Sequence, residues 1–284
     1  ARWFLTPAMA GGSLAALVLV WFGPPPSWAP LTLETMRRNT GLTWLVFTDQ
    51  PKEAWGQSVR TSAVGAGNLK LLHLNATSFA QIARRATGAV FRGEGYKLCD
   101  WRMAYGEIFA PWLRGFSFWG WVDLDVFLGR LPFFGLNASS LSALDSLGEH
   151  SWPSQGPLTL LRNVVAVNRL WRTLPRVRER LEDPAIQRLN EWAFGRALLH
   201  AAEPPIRRRE TPFPMHLSAH RRHGAEDIVW DGGRVLHLPS CGEAAYMHFS
   251  GWKATVSATV MLLVMRSSSP GSVGAEEGWA LGPE

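Results

Sequence analysis

"FSFWGWVDLD", Phe116 to Asp125, decides how the chain is read. Its first seven residues are almost continuously apolar. That pattern predicts a central strand covered on both faces. The stretch then ends in two carboxylates, Asp123 and Asp125, one residue apart. An unpaired charge inside a sheet is costly, so the acids belong at the C-terminal end of the strand. In open α/β sheets that end faces the crevice where ligands bind. Just upstream, "MAYGEIFAPWLRG", Met103 to Gly115, predicts a helix stopped by glycine.

Working outward, the same alternation recurs. "SLAALVLVWF", Ser13 to Phe22, reads as a buried strand closed by a Gly/Pro loop. Pro26 to Asn39 reads as a short helix, with Leu31, Leu33 and Met36 on one face and Arg37 and Arg38 near its C-terminus. Strands are expected at Leu42 to Asp49 and Asn68 to Asn75, and a helix at Ser78 to Thr87 with Ser78 as N-cap. This succession predicts an α/β fold. Further on, Gly156 to Asn163 reads as a strand. Val165 to Asp183 and Ala185 to Glu203 read as helices. Asp227 to Leu238 carries an Asp-Gly-Gly hairpin turn. A single domain is expected over 13–265, followed by a small, polar, Gly/Pro-rich tail over 266–284 that reads as disordered.

The composition supports a globular chain: 284 residues, 46% hydrophobic, 18% charged, enough to bury a sizeable core. The net charge of +6 comes mainly from arginine, since Lys52, Lys70, Lys97 and Lys253 are the lysines. Such a balance admits nucleic acid, anionic lipid or phosphorylated substrates. The helical arginines are dispersed and no RNA-binding signature occurs, so nucleic acid is not expected as a partner. Two cysteines, Cys99 and Cys241, exclude a disulfide framework and a cysteine-rich zinc site. The apolar run at Ser13 to Phe22 is shorter than the ~20 residues a bilayer-spanning helix needs. An upstream anchor or targeting signal would not be visible in this sequence. Cytoplasmic, peripherally membrane-associated and lumenal settings therefore all stay open.

Asp-x-Asp at a strand end has three readings. It can be a solvated strand end. It can hold a hard cation, since Mg²⁺ and Mn²⁺ take carboxylate and phosphate oxygens together. It can also be the nucleophile and acid/base pair of a haloacid-dehalogenase-type phosphatase. The phosphatase reading asks for a cation, usually lysine, between the motif and a later acidic motif. No lysine lies between Lys97 and Lys253.

"YKLCDWRMAYGEIF" followed by "FWGWVDLDVFLG" resembles the GT-A-like glycosyltransferases of bacterial polysaccharide and capsule biosynthesis. There, a "YKLCDF-P-yG" segment precedes an "FWG–D-D–G" strand. The resemblance extends from about Ala15 to Met265. It takes in Pro26 and Trp28, the "FTD" of Phe47 to Asp49, the "LTLLRN" strand and the closing "HFSGWK". The sequence departs at Met103, where the pattern has proline, and at Asn190, where an acidic pair with Glu191 is common.

The resemblance implies a GT-A-like mixed central sheet flanked by helices and a hexosyltransferase-like enzyme. It would use a nucleotide-sugar donor, a glycan or other hydroxyl acceptor, and Mn²⁺ or Mg²⁺. It makes Asp125 the direct metal ligand and His248 a further one. Asp123 would contact the donor ribose or a metal-bound water. Lys253 would neutralise the departing diphosphate. Glu191 would be the base toward the acceptor if the reaction inverts, with ion pairing to Arg188 and Arg196 as its alternative. Asp49 would face the nucleoside. Lys97 and Asp100 would either pair locally or face the nucleotide. A phosphatase, or an inactive nucleotide- or carbohydrate-binding homologue, remains the alternative.

Overall fold

The computed structural model describes residues 13–56, 67–148, 156–201, 207–210, 214–216, 228–231, 233–237, 240, 242–249 and 278–280. Its strands are β1 (Ala15–Trp21), β2 (Leu42–Thr48), β3 (Leu69–His73), β4 (Phe118–Val122), β5 (Val126–Leu128), β6 (Ser146–Gly148), β7 (Leu158–Arg162) and β8 (Arg208–Glu210). They continue as β9 (Pro214–His216), β10 (Ile228–Asp231), β11 (Arg234–His237), β12 (Gly242–Ala244), β13 (Tyr246–His248) and β14 (Gly278–Ala280). Among the described residues the central sheet runs β3-β2-β1-β4-β7-β6-β8. The first four strands are parallel, β7 is antiparallel to β4 and to β6, and β8 is parallel to β6. The result is a mixed α/β architecture, a central mixed sheet flanked by helices, as the strand and helix succession predicts.

Both faces of the sheet are covered, which explains the continuous apolar strands. In β1, Ala16 and Val18 face one core with Phe47, Trp119, Trp121 and Leu161. Their neighbours Ala15, Leu17 and Leu19 face the other, with Trp44, Phe118 and Leu160. Helix α1 (Ala29–Arg38) joins β1 to β2 and packs Leu33 and Met36 on the second face. Helix α2 (Ala76–Thr87) follows β3 and packs Phe79 and Ala83 on the first. Proline at the start of α1 suits a position whose N–H lacks a helical partner. No helix among the described residues is long and apolar enough to cross a membrane.

Gly120 explains why a glycine interrupts the tryptophans of β4. A Cβ there would run into the carbonyl oxygen of Thr159 on β7. Gly120→Ala is therefore expected to cost about 3 kcal/mol by overpacking. The check is the urea midpoint, and a variant within experimental error of the parent would show that β7 yields.

Several local expectations are corrected. The cap of α2 is Asn75, whose side chain accepts from the Ser78 N–H at 2.8 Å. Met103 to Gly115 is not one helix: a 3-10 turn at Arg102–Ala104 leads into a single α turn at Tyr105–Ile108. The helix expected over Val165 to Asp183 is broken into Val165–Asn168, Leu170–Thr173 and Val177–Glu182. The last break follows Pro175, which lacks an N–H, and Arg176 sits at φ 52°. The next helix starts late, as a π-helical turn Leu189–Ala193 continued by Phe194–His200. The hairpin forms as β10 and β11. Of the tail, Gly278–Ala280 pairs antiparallel with β10, and the rest lies outside the described residues.

Candidate functional site

β4 ends at Val122, and residues 123–125 bend before the chain resumes as β5. Four hydrogen bonds hold this corner. The Asp123 N–H donates to the Pro157 carbonyl at 2.8 Å, and the Phe249 N–H donates to the Asp125 carbonyl at 3.1 Å. Thr32 Oγ1 of α1 donates to the Leu124 carbonyl at 2.9 Å, and the Leu128 N–H donates to Thr35 Oγ1 at 3.2 Å. Leu124, between the acids, is buried in the core of the second face. The corner is thus tied to the residues next to β7 and β13, and to α1, through backbone groups and two buried threonines.

The site lies beside a switch in strand order. From β1 the chain moves outward to β2 and β3, then returns to place β4 on the other side of β1. Crevices form at such points, outside the carboxyl ends of parallel strands. β13 then brings in the imidazole. It pairs antiparallel with β5, with His248 opposite Val126, so His248 stands beside Asp125. The His248 Nε2 to Asp125 Oδ2 separation is 3.6 Å. One ligand atom from each of Asp123, Asp125 and His248 lies within 4.8 Å of the other two.

Arg102 completes the cluster and was not singled out in the sequence. Its guanidinium contacts Asp123 Oδ1, with side chains 17% and 19% exposed. Burial pushes the Asp123 carboxyl above its ordinary range; the Arg102 guanidinium opposes this, the Asp125 charge adds to it, and His248 opposes it. Arg102 is held protonated by Asp123 against the pull of burial, and its charge also reaches Asp125. The signal for Arg102 was its setting, a lone arginine inside the apolar run "CDWRMAYG". A guanidinium buried there needs an acid.

The other predicted residues fall into four groups. Glu191 is partly exposed on the π-helical turn, which packs against the turn that carries Arg102. The Tyr96 phenol and the Cys99 thiol, both raised first by burial, feel the charges of Asp123 and Glu191 alike. Asp49 follows β2 at the same edge, and its Oδ1 accepts from the Gly23 N–H at 2.9 Å and from Gln50 Nε2 at 2.9 Å. It therefore shapes the loop leaving β1. Lys253 lies outside the described residues.

Lys97 and Asp100 are an interior clamp rather than a surface facing a nucleotide. Their side chains are 2% and 0% exposed and pair at 2.9 Å. Lys97 Nζ also donates to the carbonyls of Arg180 at 3.0 Å and Ala185 at 2.7 Å, which uses its three protons. Asp100 accepts from the N–H groups of Gln187 and Leu189, each at 2.8 Å. The pair anchors the start of the π-helical turn, just after Arg188 at φ 48°. π-Helical turns recur at functional sites, and this one carries Glu191.

Fold and site together define a mixed α/β protein with an Asp–Asp–His cluster at the carboxyl edge of its parallel strands. The chain belongs to DUF6625, a family of unknown function, which it matches over residues 17–257. No protein of curated function matches it. Among solved structures it is similar to mouse xyloside xylosyltransferase 1 in its apo form, at 12% sequence identity. That likeness covers 82% of this chain and 97% of the other, with a TM-score of 0.44, too distant to carry an assignment.

Proposed function

We propose that the chain is a metal-dependent glycosyltransferase of GT-A type, moving a sugar from a nucleotide-diphosphate donor to a glycan or other hydroxyl acceptor. The reading takes 13–265 as one domain and follows the motif resemblance to bacterial polysaccharide glycosyltransferases. The observation that carries it is the convergence of Asp123, Asp125 and His248 at the sheet's carboxyl edge. Two carboxylates and an imidazole fit a divalent cation, and the imidazole favours Mn²⁺ over Mg²⁺. A set of three protein groups leaves room for phosphate oxygens, as sites working on diphosphates need.

Asp125 and His248 would hold the cation. When bound, it supplies Lewis-acid neutralisation of charge on a departing diphosphate. Asp123 stays with Arg102 and faces the donor at the rim. Asp49 fixes the loop after β1 through the Gly23 N–H, at the edge where the nucleoside would rest. Glu191, on the turn packed against the one that carries Arg102, is the group to accept a proton from the acceptor hydroxyl if the reaction inverts. Lys253 would add a cation toward the diphosphate.

The test is incubation with a panel of nucleotide sugars, with and without Mn²⁺, in the absence of acceptor. Slow, metal-dependent hydrolysis of at least one of them is expected, because water can replace the acceptor hydroxyl. The same samples are treated with beryllofluoride and assayed on simple phosphomonoesters. An aspartyl-phosphate analogue at Asp123 or brisk phosphomonoester turnover would replace this reading by the phosphatase. Nucleotide binding without hydrolysis of any donor would point to an inactive homologue.

A further inference from the structure

We propose that Arg102 sets the charge of the Asp123–Asp125–His248 cluster so that a divalent cation is held weakly alone and tightly only together with a diphosphate. The inference rests on the metal-dependent reading above. It concerns a residue that neither the Asp-x-Asp pattern nor the family match assigns. Two carboxylates and an imidazole, which ligates a cation in its neutral form, have ligand atoms within 4.8 Å of one another and would present a charge of −2 to a bound cation. Such a cluster invites a bare cation. Arg102, in contact with Asp123 Oδ1, brings the total to −1 and occupies one oxygen of the first acid.

Its position makes the effect permanent. Guanidinium does not lose its proton in proteins. The residues flanking Arg102 in sequence, Trp101, Met103, Ala104 and Tyr105, are all buried, which fixes the backbone that carries it. The helical turn Leu98–Trp101 just before it carries Asp100, locked to Lys97 and to the N–H groups of Gln187 and Leu189. Arg102 is therefore presented to the acids by a rigid segment.

A fixed unit charge a few ångströms from a divalent cation, in a partly buried site, changes affinity by about tenfold or more. A nucleoside diphosphate restores the missing negative charge, so cation and diphosphate favour each other. Were the Arg102–Asp123 pair only structural, two apolar side chains in its place would serve the fold as well, since a buried ion pair often contributes little net stability. An arginine held against one acid of the pair instead makes Arg102 a positioning residue for ligand order.

The experiment is calorimetric titration of Mn²⁺ into the whole protein, alone and then with UDP or GDP present. It compares the parent with Arg102→Met, Arg102→Gln and Arg102→Lys. Both neutral variants are expected to bind bare Mn²⁺ about tenfold more tightly, and to lose a similar factor of the enhancement by nucleoside diphosphate. Arg102→Lys keeps the charge and should stay within about threefold of the parent on both counts. Should Arg102→Met not fold, Arg102→Gln decides, since it keeps an N–H donor for Asp123. Should both melt early, Mn²⁺ is expected to raise their melting temperatures more than the parent's. Neutral variants that bind Mn²⁺ no better than the parent, or are not rescued by it, overturn the proposal. A parent protein with no diphosphate enhancement at all overturns this proposal together with the metal-dependent reading it rests on, whereas unchanged neutral variants beside an enhanced parent overturn this proposal alone.

Discussion

Asp125→Ala is expected to lower metal-dependent donor turnover by about a thousandfold and to abolish the mutual strengthening of Mn²⁺ and nucleotide binding. The direction follows from geometry. Asp125 Oδ2 is 3.6 Å from His248 Nε2, and these two groups are placed to share a cation without the help of Arg102. Removing one leaves an imidazole and an arginine-bound carboxylate, a weak set for a hard ion. The fold should survive, because four hydrogen bonds through main-chain groups of Asp123, Leu124, Asp125 and Leu128 hold the corner, and each of the four persists without the Asp125 carboxylate. Circular dichroism and a thermal melt would establish that. Titration of Mn²⁺ with and without UDP or GDP then reads the coupling. Coupling equal to the parent's in a folded Asp125→Ala protein would remove Asp125 from the metal site.

The parts legible in the sequence are those where one pattern dominates. β1, β2, β4 and β7 are apolar on both faces because the sheet is covered on both faces, and turn residues bracket each one. The place of Asp123 and Asp125, just past β4, followed from the same fact. Helix integrity was not legible. Val165 to Asp183 is rich in good helix formers; Pro175 is a local sign of a break there, but nothing local reveals that Arg176 and Arg188 adopt left-handed backbone. Those conformations are imposed by tertiary contacts, such as Asp100 gripping the N–H groups of Gln187 and Leu189 from about 90 positions away. The pairing of β13 with β5, which brings His248 to Asp125, is equally non-local. Only the "HFSGWK" resemblance hinted at it. The local pairing of Lys97 with Asp100 was one of two readings the sequence offered, but their grip on the 180–189 segment and the pairing of Arg102 with Asp123 are long-range, and left only charged residues inside an apolar segment as a trace.

That clamp carries the largest expected effect on stability. Lys97 and Asp100 are both buried, and each satisfies groups of the 180–189 segment as well as the other. Asp100→Ala strips the acceptor from the Gln187 and Leu189 N–H groups and leaves the Lys97 ammonium with carbonyl partners alone. Breaking one side of a buried pair costs about 3–5 kcal/mol. In a chain of this size that corresponds to a fall in melting temperature of roughly 10 °C. Lys97→Met is expected to cost about as much, by leaving the Asp100 charge unpaired, and the two changes should be far from additive. The loss should also be local in its first step. The start of the π-helical turn would open before the sheet, so hydrogen exchange at Leu189 and Glu191 should accelerate well before exchange in β1 and β4. Loosening the turn that carries Glu191 should lower kcat for transfer to an acceptor more than it lowers metal-dependent donor hydrolysis, because the Asp125–His248 pole is held by other elements. An Asp100→Ala protein with the parent's melting temperature and unchanged exchange at Leu189 would show that the clamp contributes neither stability nor placement of Glu191.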